Sequence, residues 1–447
     1  MIRLYASLGL VVAIEIAALG TASADNDAVM PVDSSVGSFD PDQAVAPITS
    51  VEGPGISIGD NFVIHPVVGV EGGYVSNVFY TSSNPVGAGL IRGLLELSAG
   101  SPTGERIQPA DSSSDAAVEP SLLYRVSLRG AWDEYLSGNA TVRGTSGLSA
   151  GGTVHLVAAP SGPWTFGVDE DFQRYIRATN FESSENTNRD INSIGLNLLW
   201  HPADRAITGY LYYTNVADMF EESLGIYPNR MLNTFGVHPQ WKIFPETQVF
   251  IDVSMSFDTG IDNTNIVKND STPLIAIAGV QTLLSLNTTL VAHAGYTNGF
   301  YSAGPSYSAP ELGFDVGYRY SPLGRITLGY NWLYQDSINA NYYRDHDIHA
   351  LLTQQLNPVT FVIQPELIFR QYNGIDTVVP GAEPTRNDTI FSLVAGIHYS
   401  FRNWIAASLD YRLTDVSTDY RYPQASGEPF DPSYVRHEIL LGLRLAR

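Results

Sequence analysis

The sequence predicts an all-β fold, a transmembrane antiparallel up-and-down β-barrel of about 18 strands. Three features predict it: a two-residue apolar–polar rhythm from about residue 61 to the end, an alternation of tight turns with longer polar connections, and an N-terminus patterned for export. The rhythm is cleanest where Leu312, Phe314, Val316, Tyr318 and Tyr320 alternate with Glu311, Gly313, Asp315, Gly317 and Arg319. Successive strand side chains point to opposite faces, so one face is apolar and aromatic and the other is charged. A membrane barrel turns the first face to lipid and the second to a wet lumen. A soluble sandwich would bury such rows as Val, Ile and Leu, without Tyr and Trp gathered at strand ends, and would leave the turn alternation unexplained.

The chain opens with Arg3, an apolar stretch over 8–19 broken by Glu15, and Ala22-Ser23-Ala24, the small-x-small pattern of signal cleavage. Residues 1–24 therefore read as a signal peptide. Residues 25–60, with Pro31, Pro41, Pro47 and Pro54, read as a flexible periplasmic leader. Residues 61–447 read as the outer-membrane barrel, since nothing beyond the signal approaches the roughly 20 apolar residues of a membrane helix.

The strands are expected at 62–80, 116–130, 135–146, 151–159, 164–178, 190–201, 205–217, 231–244 and 247–259. They continue at 272–285, 287–301, 309–321, 325–337, 343–356, 359–373, 387–401, 404–419 and 433–446. Tight connections are expected at Pro160-Ser161-Gly162-Pro163, Pro202-Ala203-Asp204, Pro245-Glu246, Pro322-Leu323-Gly324, Asn357-Pro358 and Arg402-Asn403. There Pro fixes φ, and Gly or Asn tolerates a positive one. Longer polar connections fall at 81–115, 179–189, 218–230, 260–271, 374–386 and 420–432. Short turns at one end and long loops at the other are the plan of outer-membrane barrels, with the short ones periplasmic. The short connection 147–150 falls where that plan requires an outer loop.

Within the strands, Ile326, Leu328, Tyr330, Trp332 and Tyr334 form a lipid-facing row, against Arg325, Thr327, Gly329, Asn331 and Gln335 inside. Val249, Ile251, Val253, Met255 and Phe257 form another, as do Ile405, Ala407, Leu409, Tyr411 and Leu413. Trp164, Trp200, Trp241, Trp332 and Trp404 suit aromatic girdles. The lumen-facing candidates are Arg125, Arg129, Asp252, Glu311, Asp315, Arg319, Arg325, Glu366, Arg370, Asp410, Arg412, Glu438 and Arg444. Opposite charges among them can pair across neighbouring strands and brace the wall, or line a hydrated path.

Composition narrows the function. The net charge of -22 argues against a nucleic-acid partner, which needs a basic footprint. The absence of Cys suits an oxidising compartment, and Lys242 and Lys268 are the only lysines. No enzymatic constellation emerges. Gly147-Leu148-Ser149-Ala150-Gly151 matches the G-x-S-x-G pattern but has no following helix, so it reads as a glycine-rich hairpin. His346 and His349 lie three apart and face opposite sides of a strand, which separates them as metal ligands. The stretch from Asp258 to Asn265 lacks the closing Glu of a calcium loop and reads as a solvated acidic loop. No cofactor or metal is expected.

Gly72-Gly73-Tyr74-Val75-Ser76-Asn77-Val78-Phe79-Tyr80 resembles a segment of the β-barrel porin 2 family, matching it at Tyr74 and Asn77-Val78-Phe79. Val75-Ser76 departs from the acidic pair usual there. The resemblance implies an outer-membrane barrel, and similar barrels of myxobacterial type serve exopolysaccharide or capsule export. On that footing the expected function is a conduit component for polysaccharide export, with a periplasmic polysaccharide export protein as partner. A general diffusion porin for small solutes, a structural barrel and a barrel hydrolase are the alternatives. The first two of these need only outer-membrane lipid, with solutes in the lumen for the porin. The final strand ends in Arg447, where many outer-membrane proteins end in Phe.

Overall fold

Each barrel strand pairs antiparallel with the strands on either side of it in sequence, and the last returns to the first. The computed structural model describes residues 51, 53–58, 62–101, 121–160, 162–176, 188–202, 206–221, 229–261, 269–338, 340–375, 385–421 and 431–447. Among them, β1 (Ile56–Ser57) precedes β2 (Val63–Val75), β3 (Ala88–Gly100), β4 (Leu122–Leu136), β5 (Gly147–Ala158), β6 (Trp164–Tyr175) and β7 (Arg189–Trp200). There follow β8 (Ile207–Phe220), β9 (Arg230–Phe244), β10 (Thr247–Gly260), β11 (Leu274–Ser285), β12 (Thr288–Asn298) and β13 (Ser308–Ser321). The series ends with β14 (Gly324–Asp336), β15 (Tyr342–Leu356), β16 (Val359–Asn373), β17 (Thr385–Arg402), β18 (Ile405–Thr418) and β19 (Tyr434–Ala446). Strands β2 to β19 close an 18-stranded barrel, sealed where Glu438 to Ala446 pair with Val75 to Val67. Closure leaves no sheet edge, which is the condition for a β-structure to cross a bilayer.

The outer face is apolar and would be costly in water. Leu95, Leu128, Leu211, Phe235, Leu328 and Leu441 are all more than half exposed. Trp164 and Trp200 pair across β6 and β7 beside the short-turn end, with ring centroids 6.4 Å apart. A closed antiparallel barrel of even strand number, with this outward band and girdle, is built for the bacterial outer membrane, and that is where the chain resides. The band is not wholly apolar, since Glu170 faces outward between Val168 and Phe172, opposite Val154 and Ile194. The short turns fall at Pro245–Glu246, Leu286–Asn287, Pro322–Leu323, Asn357–Pro358 and Asn403–Trp404, close to expectation.

The expected count of eighteen strands agrees with the structure because two errors cancel. Strand β3 lies inside the expected 81–115 loop, whereas the expected strand 135–146 is mostly a connection, and the expected strand 116–130 runs on to Leu136 as β4. The alternation of β3 is blurred because Leu90 and Leu94 share its inner face with Arg92 and Glu96, while Ile91, Leu95 and Leu97 face out. In β4, Gly130-Ala131 resembles a turn but continues the ladder, opposite Leu95 and Leu94. The true connection after β4 spans 137–146 and contains helix α1 (Ala140–Arg143), capped by Asn139 Oδ1, which accepts from the Thr141 amide at 2.9 Å. Residues 147–150 therefore belong to β5, and the outer loop the plan required is 137–146.

The signal-peptide reading and most of the leader lie outside the described residues. The described residues preceding β2 lie at the short-turn mouth. Val51 is buried against the inward-facing Val67, Leu94, Ala406 and Ala446. The Gly53 amide donates to the Asn403 carbonyl at 2.9 Å. Gly53 has a φ of +68°, and a Cβ there would come within 2.9 Å of the Ala446–Arg447 backbone, so only glycine fits.

Candidate functional site: the barrel lumen

The inner face alternates with the lipid face along each strand, so side chains two apart converge on the lumen. Its densest ionic region straddles the closure of the barrel. Arg444 Nη2 lies 2.6 Å from Glu71 Oε1 and 3.8 Å from Asp410. Arg92 makes two hydrogen bonds to Asp133, at 2.6 and 2.9 Å, and stands 3.7 Å from Glu438. Glu438 also receives Arg436 Nη2 at 2.8 Å, and Arg412 stands opposite Glu438 in register. His398 meets Asp410 at 2.9 Å. Each carboxylate has cationic partners, so the wall is held by paired charge with little net excess.

The other candidates are spread around the wall. Arg370 makes two hydrogen bonds of 2.8 Å to Asp345, and its guanidinium lies 3.8 Å over the Tyr343 ring. Asp252 accepts from Tyr212 at 3.0 Å and meets His238 at 2.9 Å. Asp315 meets His349 at 2.8 Å, Asp347 meets the other nitrogen of that ring at 3.1 Å, and Glu366 stands opposite His349 in register. Arg319 and Arg325 face each other in register, and Arg325 reaches Thr289 at 3.4 Å. Arg129 is buried beside Ser127, Arg125 is exposed, and Glu311 is only 4% exposed with one carboxylate oxygen unpaired among the described residues. Bracing by opposite charges thus holds at Arg370 and around Glu438, Asp410 and Arg444, but not at the Arg319–Arg325 pair.

The sequence motifs with alternative readings resolve by position. His346 faces outward, where Tyr330 Oη lies 2.8 Å from its Nδ1, while His349 faces inward. The G-x-S-x-G residues lie within β5, in place of the expected hairpin, because Gly151 and Ala150 pair with Arg129 and Gly130. Much of the Asp258–Asn265 stretch lies outside the described residues. Asp258 itself is buried, 4.0 Å from Arg230.

Sequence reasoning missed the loop 76–87, which joins β2 to β3 opposite the short turns and folds into the lumen. Val78, fully buried, packs with Val142 of α1 against the inward-facing Val75, Ala88, Leu90, Tyr135 and Leu440. Asn77 pins the bend. Its Nδ2 donates to the Thr81 and Val435 carbonyls at 2.8 and 3.2 Å, and its Oδ1 accepts from the Thr81 amide at 3.1 Å. Tyr80, at φ 54°, reaches a second inner cluster of Ile368, Ile390, Val416 and Tyr434, meeting the Tyr434 ring edge-on at 5.1 Å. The readable signal was Val78-Phe79 directly after the strand, because apolar residues there need a cover that an outward loop lacks. The residues carrying the family resemblance, Asn77-Val78-Phe79, are thus the ones that turn the loop inward.

No protein-family model and no curated protein sequence matches the chain. Among solved structures it is similar to Acinetobacter baumannii OccAB4, at 10% identity and a TM-score of 0.44, over 86% of this chain and 98% of that one. It is also similar to Pseudomonas aeruginosa OpdQ, at 12% identity and a TM-score of 0.41, with coverage of 86% and 98%. The outer membrane protein OpdK of Pseudomonas aeruginosa matches at 8% identity and a TM-score of 0.43, with coverage of 86% and 99%.

Proposed function

We propose that the protein is a non-enzymatic diffusion channel for small hydrophilic solutes, narrowed by the inward loop 76–87. The observation that carries this reading is the seating of Val78 and Tyr80 on two separate inner-wall clusters. A loop fixed across the wall reduces the open section, as suits small solutes and hinders a polymer. Paired charges along the wall keep the path hydrated without binding one sign of ion strongly. A polysaccharide conduit would favour a lumen left wide.

Reconstitution into planar bilayers and liposomes tests the reading. The expected result is a steady conductance and permeation that falls with solute size, with a raised size limit when residues 78–85 are replaced by a short Gly-Ser linker. Absence of conductance from both proteins would leave a structural barrel. Loss of surface polysaccharide on gene deletion, with small-solute uptake unchanged, would restore the export conduit.

A further inference from the structure

We infer that the outer wall of β15 to β18 carries a docking site for the phosphorylated, sugar-bearing headgroup of an outer-leaflet glycolipid. A cavity of about 440 Å³ opens there at the end of the barrel opposite the short turns, within the size range of ligand sites. Most of its lining is the outward-facing residues of four adjacent strands, with Arg370, Asp388 and Thr418, at inward-facing positions between them, also bordering it. Arg344 stands at one end. Its Nε is buried without a hydrogen-bond partner, and the guanidinium makes no ion pair among the described residues. His346 lies beside it, stacked 5.5 Å from Trp332, with Nδ1 engaged by Tyr330 and Nε2 left for a ligand. A free guanidinium next to an imidazole on a membrane wall recognises phosphate.

The remainder of the cavity suits a sugar. Gln371 donates to Asn387 Oδ1 at 3.1 Å, and Asn387 donates to Asp419 through its side chain at 2.8 Å and its amide at 2.9 Å. Asp419, three strands from Arg344, can accept hydroxyl or amine protons at the far end. Phe369, 46% exposed, is the apolar floor. The next outward row on the short-turn side is Ile348, Leu367, Phe391 and, on β18, Asp415, so along β15 to β17 the polar cavity passes directly into a surface for acyl chains. A soluble sugar phosphate would not need that continuity, whereas a lipid uses both halves.

Native mass spectrometry of the detergent-extracted barrel, titrated with rough lipopolysaccharide, tests the site. Wild-type protein should retain one glycolipid, with affinity about tenfold weaker for Arg344→Gln and for dephosphorylated lipopolysaccharide. Conductance of the variant should be unchanged, because Arg344 faces away from the lumen. Equal retention by the variant, or by wild type with the dephosphorylated lipid, would overturn the site. Soluble glucosamine phosphate competing as well as the lipid would overturn its assignment to a membrane ligand. The dephosphorylation arm uses wild-type protein and holds even if the variant folds poorly.

Discussion

The Arg436 guanidinium lies 4.6 Å from the centre of the Tyr80 ring, tying the inward loop to the last strand of the barrel. Tyr80 is held further by its edge-on contact with Tyr434. A desolvated cation–π contact contributes about 2 kcal/mol, and an aromatic pair about 1 kcal/mol. Tyr80→Ala should therefore free the loop tip, giving noisier and larger single-channel conductance in planar bilayers. Tyr80→Phe keeps the ring and should behave as wild type. Identical recordings from all three proteins would mean that the loop does not define the path.

The two faces of β14 give a sharper contrast. Leu328 is 52% exposed on the outer wall, and its neighbour Thr327 faces inward. An Arg on the lipid face near the midplane costs about 2–4 kcal/mol, whereas one in the lumen remains hydrated. Leu328→Arg should sharply reduce the yield of heat-modifiable folded barrel, and Thr327→Arg should leave it close to wild type. Equal yields would contradict the facing of the strand.

Strand β14 was legible in the sequence because its two faces differ chemically, with Leu328, Tyr330 and Trp332 against Arg325, Thr327 and Asn331. Strand β3 was not, because Leu90 meets loop residues that come from elsewhere in the chain. Alternation reports a strand only when one face is wet, and the inward loop makes that part of the lumen dry. The ionic wall was partly legible for a similar reason. Arg444 and Glu438 stand on a clean alternation, but their partners Glu71 and Arg92 sit in glycine-rich or apolar stretches that conceal their facing. Pairings between β19 and β2 join residues more than 360 positions apart, which no local pattern can encode.

Glu71 is 1% exposed and sits between Arg444 and Arg92, at 2.6 and 3.6 Å, at the seam that closes the barrel. Breaking a buried pair leaves an uncompensated charge, at a cost of about 3 kcal/mol. Glu71→Gln should lower the urea midpoint of the detergent-solubilised barrel. Adding Arg444→Gln should recover part of the loss, since the two effects are coupled. Strict additivity would mean that the seam gains nothing from this pair.

Glu221 follows β8 on the loop side of the barrel. Burial alone would raise its pKa, but hydrogen bonds from Asn188 at 3.0 Å and Arg174 at 3.1 Å outweigh it and hold the carboxyl below its ordinary value. A lowered folded pKa adds stability that is present above the ordinary carboxylate range and lost as pH falls through the lowered value. Unfolding midpoints compared with Glu221→Gln should therefore differ at neutral pH and converge in acid. A difference that grows in acid would reverse the sign.

The presence of β3 separates the observed strand order from the one the sequence suggests. The sequence reading placed 81–115 as a single outer loop. In the structure Gly100, which ends β3, pairs with Val63 at the foot of β2, and Leu122, which opens β4, pairs with Ala158 beside the turn at Pro160. Both ends of the 101–121 connection therefore lie with Arg447, the described residues before β2 and the short turns, on the side such barrels present to the periplasm. Gly138, between β4 and β5, lies at the opposite end and is exposed. An epitope inserted after Ser113 should be hidden on intact cells and revealed when the outer membrane is permeabilised, whereas one inserted after Gly138 should be accessible at once. Surface labelling at Ser113 on intact cells would show that β3 is not a membrane-spanning strand, and the seam from β2 to β4 would have to be redrawn.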